Sequence, residues 1–485
     1  MINNKIISHI LGQLLFVVSV MLTVCLGVGI IYHEDVWFAF GVPVLISLFL
    51  GFVLVFMGRG AEVAMSRRDS YLVVSLTWIV FAAVGTMPFM LSGVETRLSV
   101  AFFESMSGFT TTGATALKEI DGLPHAILFW RSLMHWVGGV GIIFFTIAVL
   151  PQMNVSEMRM FSVETTGLKI AKLHPRIETT AHWIGGLYLT LTIVCAVTYY
   201  LCGMGLFDAV NHAFSTMSTG GFSTHASSIA WFHSPMLEWV VTLFMFLGGF
   251  NFTLIYIMLV KRRWHPLCKD GELRTYIVLL LSMSVLCTLM LVFIQDREAF
   301  SSVRAAVFHV TSLMTTTGFT TENFMKWPIE LWLPLTFITA IGACAGSTSG
   351  GIKIVRLLTI YKVTTREFRH LLHPRAVFPI RVNGTLIEHT LVRTIFVFFV
   401  SYFSLMFVGT IMMISVGVPM LDSVSCCITA LSNVGPGIGY MVGPLDSYAP
   451  YPDIALWINS FLMLAGRLEI FALLLPFVPE FWKEN

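Results

Sequence analysis

Ten apolar runs, each long enough to cross a bilayer, dominate this chain. They lie near 10–31, 36–57, 72–93, 126–150, 181–203, 236–260, 275–295, 329–360, 390–416 and 454–478. A helix crosses the hydrocarbon core with about 20 apolar residues, so these runs prescribe a bundle of spanning helices. Composition excludes the alternative of a wettable globule: 12% of residues are charged, against about 25% in soluble domains. The predicted fold is an all-α polytopic membrane protein. The first run lacks a small-residue cleavage site and reads as a retained span, not a removed signal peptide. The eight cysteines show no CxxC or Cys/His ligand spacing, so they read as small buried apolar residues without a disulfide framework or metal site.

Orientation follows from the placement of Lys and Arg. Segments 58–71, 151–180, 261–274 and 361–388 hold seventeen, including Arg59, Arg67, Arg68, Arg159, Lys169, Lys172, Arg176, Lys261, Arg262, Arg263, Lys269, Arg274, Lys362, Arg366, Arg369, Arg375 and Arg381. The alternate connections hold five: Arg97, Lys118, Arg297, Arg304 and Lys326. Basic loops stay on the cytoplasmic side, so the first group and both termini are expected there.

The outer connections carry polar clusters such as "TTTGAT" (Thr110 to Thr115) and "SLMTTTGFTT" (Ser312 to Thr321). Aligned on Gly113, Gly221, Gly318 and Gly435, four copies match. Six positions earlier stand Ser107, Ser215, Ser312 and Thr429, and three earlier Thr110, Ser218, Thr315 and Ser432. Choosing Gly220 over Gly221 breaks the match. Each interval between these glycines contains two spans, so the repeating unit is span, polar element, span. A short apolar segment precedes each cluster, too short to cross and suited to a re-entrant helix. Irregular backbone at membrane depth persists only where protein buries it or a watery cavity adjoins it. Four such elements around one axis enclose a pore.

A dehydrated cation needs several oxygens, and inward-facing backbone carbonyls supply them. Glycine permits the necessary dihedrals and leaves the axis open. The C-terminal ends of the short helices add partial negative charge. With few carboxylates nearby, the ring reads as a selectivity filter for a monovalent cation. A proton- or sodium-coupled secondary transporter remains the alternative, although it would favour inverted repeats and mid-membrane carboxylates or histidines. An enzyme would need a converging catalytic set within the spans, and none is visible.

The motifs "WRSLMHWVGGVGI" (Trp130 to Ile142), "STGGFST" (Ser218 to Thr224), "GACAGSTSGGIK" (Gly342 to Lys353), "SNVGPGIG" (Ser432 to Gly439) and "AGRLEIF" (Ala465 to Phe471) extend the pattern. With them, nearly the whole chain resembles the Trk/Ktr/HKT superfamily of potassium transporters, and within it the bacterial TrkH/TrkG-type membrane subunit. The resemblance implies uptake of potassium and rubidium through four filter strands. They are Thr111, Thr112, Gly113; Thr219, Gly220, Gly221; Thr316, Thr317, Gly318; and Asn433, Val434, Gly435. These residues would bind K+, the transported ion. The fourth strand, Asn433-Val434-Gly435-Pro436, departs from the potassium-channel pattern and implies weaker discrimination against sodium. The resemblance also implies a homodimer in the bacterial inner membrane, gated by a cytosolic TrkA-like nucleotide-binding subunit. No GxGxxG fingerprint occurs in this chain, so nucleotide sensing would fall to that partner. Neither an organic cofactor nor nucleic acid is expected here; lipid surrounds the spans.

Arg467, read as lying well inside the last span, carries a charge that usually marks an ion pathway. It is expected to project into the pore below the filter and oppose cations. Its neighbour Glu469 is two residues away and off its helix face. Small, polar "GACAGSTSGG" (Gly342 to Gly351) breaks the eighth run. The resemblance implies a gate there, comprising Gly342, Gly346, Ser347, Thr348, Ser349, Gly350, Gly351 and Arg467, with Lys353 either joining it or opening a cytoplasmic helix. Glu104, His212 and His309, nine residues before their filter glycines, are read as holding the short helices. Arg131 and Arg393 are expected to snorkel. His174-Pro175, His265-Pro266 and His373-Pro374 carry no assigned chemistry. The expected organisation is two extra N-terminal helices (1–70) followed by pore repeats at 71–179, 180–274, 275–388 and 389–485.

Overall fold

The computed structural model describes residues 2–60, 65–144, 177–262, 264–383 and 385–483. Arg159, Lys169, Lys172, Arg176, Arg263 and His174-Pro175, and the end of the fourth run at 145–150, lie outside the described residues. Among the described residues, six helices are long and apolar enough to cross a membrane: Asn4–Ile31, Trp37–Met57, Arg68–Leu91, His182–Leu201, Gly271–Gln295 and His389–Ser415. Large apolar side chains on these helices, such as Phe49, Val278, Phe293 and Phe407, are exposed. Buried threonines and serines gather around the four polar clusters. The molecule is thus apolar outside and polar at its centre, as a membrane solvent requires.

Between the spans stand four short helices: Leu98–Phe109, Leu206–Met217, Ala299–Met314 and Met420–Ser432. Each ends at a polar cluster. The helix His125–Phe144 follows the first cluster and packs directly on it. A Cβ on Gly138 would overlap the carbonyl oxygen of Phe109, the last residue of the short helix. Gly466 stands in the same relation to Leu431 O. Small residues allow this approach of backbone to backbone, which is how helices pack where water supplies no driving force.

Three spans are broken among the described residues, and two of the breaks bond to each other. Pro235–Gly248 and Phe252–Leu259 bend by 103°, where the run 236–260 reads as one span. Asp453–Arg467 and Phe471–Phe477 bend by 116°. The run 329–360 divides into Trp332–Ala340 and Ile354–Leu372, separated by the loop 341–353. Gly249 O accepts from Cys344 N at 3.1 Å, and Gly346 O accepts from Phe252 N at 3.1 Å. The backbone groups freed at one break are therefore satisfied by another, within protein.

The second bend corrects the placement of Arg467. It is the last residue of helix Asp453–Arg467, not a mid-helix charge. Glu469 and Ile470 beyond it have φ of 52° and 65°, positions a β-branched residue rarely occupies. Arg131 is a second correction. It is 1% exposed and does not snorkel, because a carboxylate buried beside it supplies its countercharge. Arg393 is exposed.

Candidate ion-conduction site

Each short helix closes in the same way. The amide of Thr111 bonds Gly108 O at 3.1 Å and that of Thr112 bonds Ser107 O at 2.9 Å. The same pair recurs at Thr219 and Gly220 (3.0 and 2.8 Å), Thr316 and Thr317 (3.1 and 2.9 Å), and Asn433 and Val434 (3.2 and 2.9 Å). These are the two bonds of a Schellman terminator, with a left-handed residue just past the helix. That residue is usually glycine, yet here it is Thr111 (φ 51°), Thr219 (53°), Thr316 (60°) and Asn433 (55°). Threonine in this region costs of order 1–3 kcal/mol and persists only where surroundings enforce it. The surroundings are visible: Thr110 and Thr112 hydroxyls bond at 2.8 Å, Thr315 and Thr317 at 2.8 Å, and Asn433 Nδ2 donates to Thr112 Oγ1 at 3.2 Å.

Two residues further on, Gly113, Gly221 and Gly318 have φ of 79°, 83° and 82°. Gly220 does not share this geometry, so the backbone has the register of Gly221. Gly435 is different again, since its φ is not positive. Space governs it instead: a Cβ there would lie 2.7 Å from Gly113 O. The other three point around the same ring. A Cβ on Gly113 would overlap Gly220 O, one on Gly221 would overlap Thr317 O, and one on Gly318 would come within 2.8 Å of Pro436 Cδ. Each glycine thus faces the next strand, and the fourth faces the first. One cavity of about 130 Å³ touches all four glycines.

The strands above the ring are braced from the short helices. Glu104 accepts from Ala116 N at 3.0 Å, from Thr115 Oγ1 at 3.1 Å, and from Arg131 Nε at 2.7 Å. Arg131 reaches Ser223 O of the next strand at 3.0 Å and lies over the Phe222 ring. His212 pairs with Ser223 Oγ at 2.9 Å, and His309 accepts from Thr321 N at 3.3 Å. Ser312 Oγ donates to Phe319 O at 2.6 Å. None of these side chains needs to touch an ion to fix the strands.

Beneath the ring lies the loop 341–353, and it bonds to the left-handed residues themselves. Gly350 N donates to Thr316 Oγ1 at 2.8 Å, Thr219 Oγ1 lies 3.3 Å from Thr348 Oγ1, and a Cβ on Gly350 would touch Asn433. Thr348 Oγ1 donates to Met217 O at 3.0 Å. Arg467 Nη1 donates to Thr348 O at 2.9 Å, and its Nη2 to Gly138 O at 3.0 Å. Arg467 is 2% exposed, and Glu469 pairs instead with Arg356 at 2.6 Å. Inside the loop, Ala343 N bonds Ser349 Oγ, and Ser347 and Ser349 hydroxyls meet at 2.9 Å. Gly342 N donates to Ile352 O, Gly346 O accepts from Phe252, and Gly351 (φ 66°) turns the chain back. Lys353 does two things. It sits at the cap of Ile354–Leu372, and its buried ammonium bonds Ser349 O.

The family described as TrkH, cation transport protein, matches residues 38–484. The chain belongs to the TrkH family. It is 37% identical over 484 residues to a Trk system potassium uptake protein TrkH of Salmonella typhimurium, covering 99% of each. A TrkG protein of Escherichia coli is 31% identical over 486 residues, again covering 99% of each. The crystal structure of the potassium transporter TrkH from Vibrio parahaemolyticus superposes with a TM-score of 0.90 at 36% identity, covering 99% of both chains.

Sequence reasoning missed the buried contacts of Arg131 and Glu272 with the strands and the loop. Glu272 Oε1 accepts from Ala345 N of the loop at 2.6 Å. The signal for both was available: an ionisable residue inside or at the edge of an apolar run has a buried partner by default.

Proposed function

We propose that this chain conducts potassium, and rubidium in its place, through the ring of four strands. The observation that carries this is the closed cycle of glycine contacts, with one strand from each repeat and no room for a Cβ at any of the four. Carbonyl oxygens around such a ring replace the hydration shell of a monovalent cation. Below it, the loop 341–353 is the gate. In the closed state it bonds the filter ends of the second and third repeats, packs against Asn433 of the fourth, and is joined by Arg467 to the first. Arg467 adds a fixed positive charge, which costs a passing cation roughly 2–4 kcal/mol at separations of about 4–8 Å and an effective dielectric near 20. Opening withdraws the loop.

Family membership and the basic inner segments support the remaining features. The protein sits in a bacterial inner membrane with both termini cytoplasmic, assembles as a homodimer, and opens under a cytosolic TrkA-like subunit. The test is rubidium uptake into proteoliposomes holding the purified chain, driven by a potassium gradient. Uptake that potassium competes better than sodium, with the preference reduced in Gly318→Ser, supports the filter. A folded protein that carries no rubidium, both as the parent chain and as Arg467→Ala, overturns the proposal.

A further inference from the structure

The underside of the gate loop rests on a small structure that contributes nothing to the filter. After helix Ile354–Leu372 the chain forms a hairpin, Arg381–Val382 paired antiparallel with Thr385–Leu386. Asn383 lies at its tip, with φ 48°. Its Oδ1 accepts from Gly271 N at 2.7 Å, and its Nδ2 donates to Asp270 Oδ2 at 2.9 Å. Asp270 caps the helix Gly271–Gln295, with Oδ1 accepting from Leu273 N at 2.7 Å. The hairpin tip is therefore locked to the first turn of that helix.

The same turn holds the gate loop. Glu272 is 2% exposed, and its Oε1 accepts from Ala345 N at 2.6 Å and from Val355 N at 3.3 Å. These two residues flank the segment 347–351 that reaches the filter. They also belong to an apolar cluster of their own, apart from the main core. In it Ala345 and Val355 pack with Ile380, Val382 and Ile387 of the hairpin, and with Leu391 and Ile395 of the following span. The hairpin thus grips the loop twice, by apolar contact and through the relay Asn383, Asp270 and Gly271, Glu272, Ala345. Its other face is outward: Arg381 and Leu386 are exposed.

We infer that the hairpin 380–387 is the cytoplasmic handle of the gate, and that Asn383 and Glu272 are the positioning residues joining handle to loop. This rests on the reading of loop 341–353 as the gate. A displacement at the hairpin reaches Ala345 through a contiguous set of packed, hydrogen-bonded groups, the kind of network that carries coupling between separated sites. Locked, the relay keeps the loop seated under the filter.

The test uses the full chain alone in proteoliposomes, reading rubidium uptake. Asn383→Asp loses the amide donor and sets a carboxylate against Asp270. Its flux is expected to rise about tenfold, within the range that residues along a coupling path produce. The swapped pair, Asp270→Asn with Asn383→Asp, rebuilds the side-chain bond with donor and acceptor exchanged, keeps the bond from Gly271 N, and is expected to return flux to within about twofold of the parent. A purely structural bond would lower the unfolding temperature of Asn383→Asp without raising flux. Where Asn383→Asp is not recovered folded, Asn383→Ala gives the same reading: raised flux supports the handle, parental flux overturns it. Arg467→Ala separates the two levels. If it raises flux while the Asn383 variants do not, or if the swapped pair fails to restore the parental rate, the handle is overturned and the gate stands. If Arg467→Ala leaves flux unchanged, the gate reading falls and the handle with it.

Discussion

The ring proposed as the filter and the loop proposed as the gate are both irregular backbone at the centre of the molecule, yet they are held by different means. Each filter strand is anchored locally: the two amides past its helix bond back to carbonyls of that same helix, identically in four repeats. The loop 341–353 has an internal bridge, but its position depends on groups from elsewhere. Thr316, Met217, Glu272 and Arg467 each contribute one or more bonds to it. A strand whose bonds are local keeps its shape when its neighbours move. A loop seated by borrowed side chains is released when they move. The same chemistry of small polar residues therefore gives a locally anchored ring in one place and, beneath it, a loop held by borrowed groups, as the proposed division into filter and gate requires.

The sharpest way to break this contrast is to insert a methyl group into the ring. Gly221→Ala places a Cβ on Thr317 O at a positive φ. It is expected to lower rubidium uptake by about 100-fold, equivalent to roughly 2.7 kcal/mol of strain and lost ion contacts. Next is the brace. Glu104→Ala leaves Arg131 buried and unpaired at 1% exposure, which costs about 3–5 kcal/mol. A lower unfolding temperature in detergent checks it, and the loss should exceed that from any single gate-loop variant.

The gate should respond in the opposite sense. Thr348→Val keeps the side-chain shape but removes the hydroxyl that reaches Met217 O and Gly248 O. Loss of about 1 kcal/mol from the closed state is expected to raise flux roughly fivefold with ion preference unchanged. The smallest effect belongs to Ser347→Ala. Its hydroxyl bonds Cys344 O inside the loop, so it stiffens the plug without seating it. Flux is expected within about twofold of the parent, since one internal bond contributes about 1 kcal/mol to both states alike.

Much of this architecture was legible in the residues. Hydropathy marks the apolar runs, and the matched serines and threonines align four clusters on Gly113, Gly221, Gly318 and Gly435. The breaks were harder. A hydropathy window sums side chains, so it reads straight through Gly248 to Asn251 and through Leu468 to Ile470, where only the backbone turns. The partners of buried charges were hidden for a different reason. Arg131 finds Glu104 across a helix and a filter strand, and Arg467 finds Thr348 O from another repeat. Pairings between groups of separate elements have no short-range trace in the chain. The hairpin relay is of the same kind, since Asn383 and Asp270 are 113 residues apart and meet only in the folded chain.

The central claim is that ring and loop divide the work, selection above and gating below. The direct measurement is the ratio of potassium to sodium competition, together with the absolute rate, for rubidium uptake by Gly318→Ser and Arg467→Ala side by side. The serine variant is predicted to lose discrimination without a gain in rate. The alanine variant is predicted to gain about tenfold in rate, the loss of a charged hydrogen bond, and to keep the parental ratio. An alanine variant that loses discrimination while the serine variant keeps it would contradict the division, because selection would then lie with the arginine and not with the ring.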